Sequence, residues 1–367
     1  MYINSLTLRD FRSHAHTELE FTRDVNVLWG ENGAGKTNLL EAVFLFASGK
    51  SFRGQTDREL ISFGKPESYL KLVFTDRFSE HVLEMNLYKN RRRLLFKDGC
   101  EIKRLSEYLG LFRAVVFTPD HLKIIKSSPE NRRKLADIAI CQTFPRYVAS
   151  LSEYNRILLQ KNNLLKAGVT ELSLPMLEVY NERLAQLSAV ITLNRYNYIN
   201  RLGEKAAVYM NEMTEGKEEL RLVYETQYGG TFTREELYKN CLALYKRRQE
   251  AEISKRVTLC GCHHDDFAVM INSKDARSYA SQGQQRSAVL ALKLAEGELA
   301  KVYTGEESVF LFDDVLSELD EKRRAYVTQK LTSRQFILTG CDDPGGDAHA
   351  FRVQNSAANA EDLTERE

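Results

Sequence analysis

A glycine-rich segment near the start of the chain carries residue types that bind phosphate. It comprises Gly30, Glu31, Asn32, Gly33, Ala34, Gly35, Lys36 and Thr37. Glycine lets the backbone bend tightly, so that successive N–H groups can face phosphate oxygens. The spacing predicts that Lys36 reaches the β- and γ-phosphates of a nucleotide and that the Thr37 hydroxyl ligates Mg²⁺. The segment therefore predicts binding of a nucleoside triphosphate.

A pair of carboxylates far along the chain supplies the second half of the predicted chemistry. Asp313 and Asp314 follow the apolar run V-F-L-F of residues 309–312, which predicts a buried strand. Open α/β sheets bind ligands at the carboxyl ends of such strands. We expect Asp313 to hold Mg²⁺ through water and Asp314 to act as general base toward the attacking water. Acidic pairs are also common in exposed turns, but the glycine-rich segment favours the hydrolytic role.

The elements that must position these groups follow from the apolar periodicity. Residues 25–29 predict a buried strand before the glycine-rich segment, and residues 37–47 predict a helix after it. Alternating apolar and polar residues then predict antiparallel strands near 69–75, 82–88 and 93–96, followed by an Asp-Gly hairpin turn. The nucleotide chemistry is thus expected on an α/β fold.

A region of helical periodicity fills the long separation between the two halves of the site. Apolar residues spaced three and four apart between about 177 and 198 predict a coiled-coil-like seam, with an antiparallel partner from about 151 to 165. We therefore expect four segments. They are residues 1–128 as the N-terminal part of a nucleotide-hydrolysing domain, 129–255 as an inserted helical arm domain, 256–345 as the C-terminal part and 346–367 as a flexible acidic tail.

Composition limits the class of protein. The chain has 367 residues, of which 43% are hydrophobic, enough for two or three domains with sizeable cores. No run of about 18 apolar residues occurs, and the N-terminus opens into an alternating strand, so neither a membrane span nor a signal peptide is expected. Six mostly scattered cysteines are typical of reduced thiols in a cytosolic protein. The net charge of +1 gives no overall sign of nucleic-acid binding.

A polar segment precedes a helix rich in alanine and leucine. It comprises Ser281, Gln282, Gly283, Gln284 and Gln285. In isolation it is only a polar helix N-cap, since serine caps helices and glycine permits close backbone approach. Its position roughly thirty residues before the acidic strand resembles the signature motif of ABC-type ATPases. Ser317 and Asp320 resemble their D-loop. The resemblance implies ATP held between two protomers, and therefore an ATP-dependent homodimer.

The full set of motifs resembles the RecF family, in the SMC/Rad50-like branch of ABC ATPases. The resemblance covers nearly the whole chain and rests on L-T-L-R-D-F-R, G-E-N-G-A-G-K-T, G-K-S-F-R, F-T-P-D, S-Q-G-Q-Q-R and F-D-D-V-L-S-E-L-D. It implies an α/β fold: an ABC-type, SMC/Rad50-like ATPase head with an antiparallel β-subdomain and an inserted helical, coiled-coil-like arm. The implied cofactors are ATP and Mg²⁺.

The same resemblance implies a role in recombinational repair and replication restart. It implies a cytoplasmic, nucleoid-associated protein that binds double-stranded DNA and single/double-strand junctions as an ATP-bound dimer. Slow, DNA-dependent ATP hydrolysis would act as a switch. With RecR and RecO, such a protein helps load RecA at single-strand gaps, and the family is tied to the SOS response. The expected partners are therefore DNA, a second copy of the chain and RecR, with no membrane partner.

Two other functional classes stay open. An ATPase subunit of an ABC transporter would use the same chemistry with a membrane partner. The fused D-D-x-x-S-E-L-D, the large helical insertion and the lack of an evident glutamine loop at F-T-P-D all argue against a transporter. A scaffold that binds ATP with negligible turnover would keep Lys36 but would not need Asp314.

Three places in the chain invite closer comparison with the family pattern. Arg53 looks like the arginine that SMC-type ATPases place over the phosphates, with an ordinary surface arginine as the alternative. Thr339 stands where many ABC ATPases carry a γ-phosphate-sensing histidine, which implies slower turnover. The segment C-G-C-H-H-D-D at 260–266 replaces a family proline and arginine with Cys262 and His264. Its C-x-C spacing is tight for tetrahedral zinc, so a metal role is disfavoured.

Contact with DNA is expected from basic side chains that neutralise backbone phosphates. The candidates are Arg91, Arg92, Arg93, Arg132 and Arg133. The first three are preferred because they lie on the predicted β-subdomain, close to the nucleotide. Such clusters are also common on ordinary solvated surfaces.

Overall fold

The structure of the chain, a computed structural model, describes residues 1–331, 334–342, 349–354 and 357–360. The chain divides into two compact units. The first unit runs from Met1 to Lys123 and resumes at Arg286, and the second comprises Ile124–Gln285. The second unit is therefore an insertion within the first.

The secondary structure follows the chain in three blocks. The first block contains β1 (Tyr2–Phe11), β2 (His14–Glu20), β3 (Val25–Trp29), α1 (Lys36–Ser48), α2 (Asp57–Leu60), β4 (Glu67–Thr75), β5 (Glu80–Tyr88), β6 (Leu94–Lys97), β7 (Cys100–Glu101), α3 (Leu105–Tyr108), β8 (Ala114–Phe117) and α4 (Pro119–Leu122). The inserted block contains α5 (Pro129–Thr143), α6 (Pro145–Ala167), α7 (Leu174–Thr214), β9 (Leu220–Glu225), α8 (Arg234–Lys255), β10 (Asp266–Ile271), β11 (Lys274–Asp275) and α9 (Ala276–Tyr279). The last block contains α10 (Gln282–Thr304), β12 (Val309–Phe312), α11 (Glu321–Leu331), β13 (Phe336–Gly340), β14 (His349–Gln354) and β15 (Ala357–Ala360).

A six-stranded sheet in the first unit carries both halves of the predicted site. Its strand order is β15-β14-β3-β13-β12-β8, and all neighbours from β14 to β8 are parallel. The strands V-N-V-L-W, A-V-V-F and V-F-L-F are almost continuously apolar and mostly buried, as parallel strands covered on both faces are. Only β13 separates β3, which leads into the glycine-rich segment, from β12, which leads into the two carboxylates.

An antiparallel sheet with the order β2-β1-β4-β5-β6-β7 forms the second layer of strands in the first unit. Buried and more exposed residues alternate along β4 and β5, so one face of the sheet packs on the core. Asp98 and Gly99 both adopt positive φ, 50° and 80°, as the two-residue turn between β6 and β7 requires. The predicted antiparallel β-subdomain is confirmed.

The second unit is dominated by α7, a helix of 41 residues that packs against α6 and α8. The predicted seam is present, because Leu177, Leu184 and Ile191 on α7 are fully buried. Lys161 of α6 and Glu252 of α8 form an ion pair of 2.7 Å, and both side chains are fully buried. The unit therefore matches the expected helical arm.

The second unit extends further than the arm expected from the sequence. The sequence placed residues 256–345 in the C-terminal part of the ATPase domain, whereas residues up to Gln285 group with the inserted helices. The physical reason is strand pairing. β10 pairs antiparallel with β9 over six positions, and β9 lies within the insertion. Apolar alternation predicted a strand at 267–272 but does not show which strand it pairs with.

The tail expected to be flexible, residues 346–367, contains two strands. β14 pairs in parallel with β3, and β15 pairs antiparallel with β14. Phe351 and Val353 are fully buried, so β14 covers the edge of β3 with an apolar face. The expectation was wrong for residues 349–354 because composition hides this alternation. Residues 346–348, 355–356 and 361–367 lie outside the described residues.

Replacing Phe351 with alanine should destabilise the protein. Its ring is fully buried and contacts Phe21, with 5.4 Å between ring centroids. We expect the free energy of unfolding to fall by about 3 kcal/mol or more, because a buried ring is lost and a cavity is left. Denaturant titration measures the change. Gln354→Ala, at an exposed position of the same strand, is the control and should shift stability by less than about 0.5 kcal/mol. Equal stability of Phe351→Ala and the parent would contradict the placement of β14.

Candidate functional site

The glycine-rich segment forms the connection between β3 and α1. Gly30 has φ of 145°, and a Cβ atom there would clash with the carbonyl oxygen of Val353 on β14. Gly35 has φ of 106°, and a Cβ atom there would lie 2.7 Å from Nε2 of His14. Both positions therefore require glycine, because the backbone conformation and the close neighbours exclude a side chain.

Helix α1 begins immediately after this loop. Its N-cap is Gly35, which provides no side-chain cap, and its first turn contains no acidic residue. No side chain therefore caps this turn, in which Asn38 N and Leu39 N donate to the Gly35 carbonyl oxygen, and the helix dipole favours an anion at its start. Lys36 Nζ donates to the carbonyl oxygens of Gly30 and Glu31, the latter at 3.0 Å, so its ammonium group lies over the loop. The arrangement suits a phosphate group.

The two residues expected to hold Mg²⁺ meet in the structure. Thr37 Oγ1 donates to Asp313 Oδ1 at 2.7 Å, although the residues are 276 positions apart. Thr339 Oγ1 donates to the same oxygen at 3.4 Å. Burial raises the pKa of the Asp313 carboxyl, while these hydroxyl groups and the charge of Arg53 act in the opposite direction. Hydroxyl and carboxylate oxygens are hard ligands, so the donor set fits Mg²⁺.

Asp314, the expected general base, has an unusual backbone. Its φ is 54°, which is costly for a residue with a side chain. Its N–H donates to Thr339 Oγ1 at 2.8 Å, and the Ser317 hydroxyl donates to its carbonyl oxygen at 2.8 Å and to its Oδ1 at 3.2 Å. Thr339 therefore contacts the Asp313 carboxylate and the Asp314 backbone, whereas the sequence suggested a phosphate contact for it. Ser317, expected in the D-loop, contacts Asp314 of the same chain.

Asp320, the other expected D-loop residue, immediately precedes α11. Its Oδ1 accepts from Arg323 N at 2.9 Å, and its carboxylate pairs with the Arg323 guanidinium. Arg323 Nε also donates to Ser287 Oγ on α10 at 2.9 Å. Arg286 lies 3.7 Å from Glu318. The D-loop segment is thus tied to α10 by two arginines.

The signature segment lies at the start of α10. Ser281 and Gln284 form a capping box, with Gln284 N donating to Ser281 Oγ at 3.2 Å and Ser281 N donating to Gln284 Oε1 at 2.8 Å. Gln285 is buried and donates from Nε2 to the Ala280 carbonyl oxygen at 2.7 Å. Ser281 and Gln282 are exposed. The segment is a well-formed helix start with an accessible surface.

Arg53 lies at the loop that follows α1. Its guanidinium donates to Asn38 Oδ1 at 3.0 Å and lies 3.8 Å from Glu41, and Asn38 in turn donates to Ser13 Oγ at 2.9 Å. The side chain is therefore held against α1, next to the glycine-rich loop, with 46% of it exposed to solvent.

His14 is a site residue that the sequence did not reveal. Its side chain is fully buried, with Nδ1 hydrogen-bonded to Thr17 Oγ1 at 2.9 Å and Nε2 hydrogen-bonded to the Gly35 carbonyl oxygen at 3.1 Å. His14 therefore fixes the backbone of Gly35, the last glycine of the loop, through this hydrogen bond. In the sequence, the position of His14 two residues after the R-D-F-R motif is the only sign of this role. The role becomes visible only once β1 and β2 are paired.

Two concavities flank the loop. One, of about 670 Å³, is lined by residues 30–34 with Trp29 and Arg352. The other, of about 600 Å³, is lined by residues that include Arg12, Asn38 and Lys89. The second includes Asn38, the partner of Arg53, and has the more cationic lining.

The five arginines proposed for DNA contact differ in their surroundings. Arg93 forms a two-point ion pair with Asp57 (2.9 and 2.6 Å), and Arg132 forms one with Asp266 (2.8 and 2.6 Å). Arg133 donates to the Asp265 carbonyl oxygen at 2.7 Å. Arg91 stacks over the Tyr88 ring at 3.6 Å, and Arg92 is exposed. Arg91 and Arg92 are therefore the most available of the set.

The C-G-C-H-H-D-D segment forms part of the core of the second unit. Cys260 and Cys262 are buried, and burial raises the pKa of each thiol to about 12. Burial lowers the pKa of His263 to about 3, so the ring is neutral and pairs with the Tyr154 hydroxyl at 2.5 Å. Within the part of the chain that the structure describes, no group of three or more His, Cys, Asp or Glu side chains is arranged to hold a metal ion.

Comparison with known proteins finds close relatives of this chain. A family described as the RecF/RecN/SMC N-terminal domain matches residues 2–344. The chain is 37% identical over 362 residues to the DNA replication and repair protein RecF of Clostridium acetobutylicum, covering 97% of this chain and 98% of the relative. It is 39% identical over 340 residues to the protein of that name from Lachnoclostridium phytofermentans, covering 92% of each.

Solved structures support the same relationship. The recombination mediator protein RecF with ATP, described as part of the RecFOR pathway, matches with a TM-score of 0.92 at 32% identity, covering 98% of each chain. An Smc head bound to the C-terminal winged-helix domain of ScpA matches with a TM-score of 0.56 at 15% identity, covering 100% of this chain and 99% of that one. At 15% identity, the match to the Smc head shows a similarity of fold alone. The predicted ABC-type head with an inserted arm is confirmed.

Thr339→Val should destabilise the loop that carries both carboxylates. The variant keeps the shape of the side chain but leaves the N–H of Asp314, now in a partly buried hydrogen bond of 2.8 Å, without its acceptor. We expect a loss of about 1–3 kcal/mol in the free energy of unfolding, measured by urea titration. Thr339→Ser keeps the hydroxyl and is the control, with the smaller loss of one methyl group. If valine and serine cost the same, the hydroxyl does not hold the loop.

Proposed function

This chain belongs to the RecF family, within the wider RecF/RecN/SMC group, and from that premise we propose that it is an ATP-hydrolysing switch protein of DNA replication and repair. The observation that carries the proposal is the 2.7 Å hydrogen bond between Thr37 and Asp313. It joins a phosphate-binding loop to an acidic strand end, which is the arrangement that nucleoside triphosphate hydrolysis requires.

The triphosphate of ATP is proposed to lie over the loop of residues 30–37. Backbone N–H groups of the loop and the first turn of α1 would bind its oxygens, because no side chain caps this helix. Lys36 would exchange its carbonyl partners, Gly30 and Glu31, for phosphate oxygens. The ribose and base would extend into the concavity lined by Arg12, Asn38 and their neighbours.

Thr37 and Asp313 are the proposed holders of Mg²⁺, Asp313 through water. When bound, the ion would neutralise charge on the β- and γ-phosphate oxygens. Asp313 is buried beside Thr339, so its carboxylate is held toward Thr37 and excluded from bulk solvent. The residues thus provide an oriented pair of oxygens.

Asp314 is the proposed general base for the attacking water. Its position at the strand end and the hydrogen bond from the Ser317 hydroxyl to its Oδ1 fix the direction of its carboxylate, while its backbone N–H donates to Thr339 Oγ1. Arg53 would stabilise the charge that develops on the transferred phosphoryl group. A scaffold without turnover would not need this second carboxylate, so Asp314 favours hydrolysis.

We propose a homodimer with ATP between its protomers. The exposed start of α10, with Ser281 and Gln282, would contact the γ-phosphate held by the partner subunit. The D-loop is tied to the same helix through Arg323 and Ser287. Loss of the γ-phosphate would remove the bridge and release the protomers, which makes hydrolysis a switch.

DNA is the proposed macromolecular ligand, as double strands and as gapped or junction DNA. Arg91 and Arg92 are proposed to neutralise backbone phosphates, while Arg93, Arg132 and Arg133 serve mainly in ion pairs and hydrogen bonds of the fold. A cytoplasmic, nucleoid-associated protein that acts with RecR, RecO and RecA in gap repair and the SOS response fits this ligand. The description of a similar structure as part of the RecFOR pathway supports these partners.

An ATPase subunit of an ABC transporter is not favoured. The relatives with 37% and 39% identity are DNA replication and repair proteins. None of the helices that the structure describes is long and apolar enough to cross a membrane.

Variants of the two catalytic candidates should separate binding from hydrolysis. Lys36→Ala should abolish ATP binding, because the loop loses its only ammonium group. Asp314→Asn should still bind ATP but hydrolyse it at least about a hundredfold more slowly, since an amide is a poor base. Asp314→Asn should also prolong the ATP-bound dimer in sedimentation experiments. Exposed Lys166→Ala is the control and should behave as wild type. A dimer lifetime unchanged by Asp314→Asn would exclude the switch.

DNA binding should require ATP, ignore sequence and weaken with salt. Fluorescence anisotropy with labelled duplex and gapped DNA measures the affinity at several salt concentrations. The double variant Arg91→Ala/Arg92→Ala should reduce the slope of log K against log salt by about two, with an unchanged melting temperature. Arg93→Ala should instead lower the melting temperature, because it breaks the Asp57 ion pair. Absence of DNA affinity at low salt would contradict the proposal.

A further inference from the structure

Glu41 is a buried carboxylate that the proposed chemistry does not use. It lies on α1, one turn after Thr37, and its side chain is fully buried. A buried charge is costly unless charged and hydrogen-bonding partners surround it. The partners of Glu41 therefore show what its burial achieves.

Arg12 is the first partner. Its Nε donates to Glu41 Oε2 at 2.9 Å and its terminal nitrogen donates to Oε1 at 2.8 Å, which is a two-point ion pair. The other terminal nitrogen donates to the Glu59 carbonyl oxygen at 2.9 Å. Arg12 belongs to the R-D-F-R motif and lines the concavity proposed for the nucleoside. Glu41 thus fixes the guanidinium at the rim of that concavity.

Arg53 is the second partner, held by three neighbours. Its guanidinium lies 3.8 Å from Glu41 Oε2 and donates to Asn38 Oδ1 at 3.0 Å. Its backbone N–H donates to Ser51 Oγ at 3.0 Å, and the Ser51 hydroxyl donates to Glu41 Oε1. Its charge also opposes the rise that burial causes in the pKa of the Asp313 carboxyl. Arg53 is therefore held on Glu41 while its charge acts on the acidic strand end.

We propose that Glu41 is a positioning residue that holds Arg12 and Arg53 beside the nucleotide. One buried negative charge gathers two guanidinium groups which would otherwise repel each other. Arg53 is 46% exposed, so without this anchor it is free to turn into solvent. The inference rests on the proposed function, since it assigns Glu41 a role in ATP binding through Arg53.

Glu41→Gln tests the proposal, because it keeps the size of the side chain and removes its charge. We expect the Kd for mant-ATP, measured by fluorescence titration, to rise about tenfold. Glu252→Gln is the matched control. Glu252 is equally buried and ion-paired, at 2.7 Å from Lys161, but it lies in the second unit. It should lower the melting temperature and leave the Kd unchanged.

A double-mutant cycle shows whether Glu41 acts through Arg53. Arg53→Ala alone should weaken mant-ATP binding, and adding Glu41→Gln should then raise the Kd by well under tenfold, because only Arg12 still depends on Glu41. A full tenfold effect in the Arg53→Ala background would overturn the role of Arg53. Wild-type affinity in Glu41→Gln would overturn the whole inference.

A milder variant covers the case in which Glu41→Gln fails to fold. Ser51→Ala removes only the hydroxyl that links Glu41 to the Arg53 backbone, and should raise the Kd about threefold. An unchanged Kd for Ser51→Ala, with a folded protein, would count against the proposal. Absence of mant-ATP binding by the wild-type protein is a different result. It would overturn the proposed function, and this inference with it.

Discussion

The hydrogen bond from Thr37 to Asp313 is the contact on which the rest of the proposed site depends. It joins residues 276 positions apart, across the whole inserted unit. It forms only because β13 lies between β3 and β12 in one parallel sheet, with their carboxyl ends at the same edge. A different strand order would leave a phosphate-binding loop and an acidic pair with no common site. The insertion is tolerated because it leaves this order intact.

Helix α1 organises the surroundings of that bond. Its uncapped first turn faces the proposed phosphate site, Thr37 points to the acidic strand end, and Glu41, one turn later, gathers the two arginines. The first two turns of α1 therefore carry three proposed roles: binding phosphate, contacting the acidic strand end and positioning two arginines. His14 supports the loop at Gly35 from the antiparallel sheet. The two sheets of the first unit thus both contribute to a single loop conformation.

Some charged groups in this protein stabilise the fold through ion pairs, and others are available to the proposed ligands. Arg93 and Arg132 form two-point ion pairs with aspartates, so substituting them would affect stability before it affected any ligand. Arg91 and Arg92 are more available. A cluster of basic residues in the sequence does not separate these roles, because it contains no information about the acidic residues that fold against it. The same holds for the cysteine-histidine segment of residues 260–266. Burial makes His263 a neutral residue of the core, which the sequence pattern alone does not show.

The sequence by itself determined the residues of the phosphate loop, the acidic pair, the helical arm and the antiparallel strands. Each of these depends on local spacing: glycines in a short loop, apolar runs, and periods of two or near 3.6 residues. The tertiary structure decided those features that depend on pairing between residues distant in the sequence. It joined β9 to β10, placed β14 on the edge of β3, and committed the Thr339 hydroxyl to the Asp313 carboxylate and the Asp314 backbone N–H. It also brought His14 and Glu41 into the site, because their partners are distant in sequence and only the sheet order and the packing of α1 bring them within bonding distance.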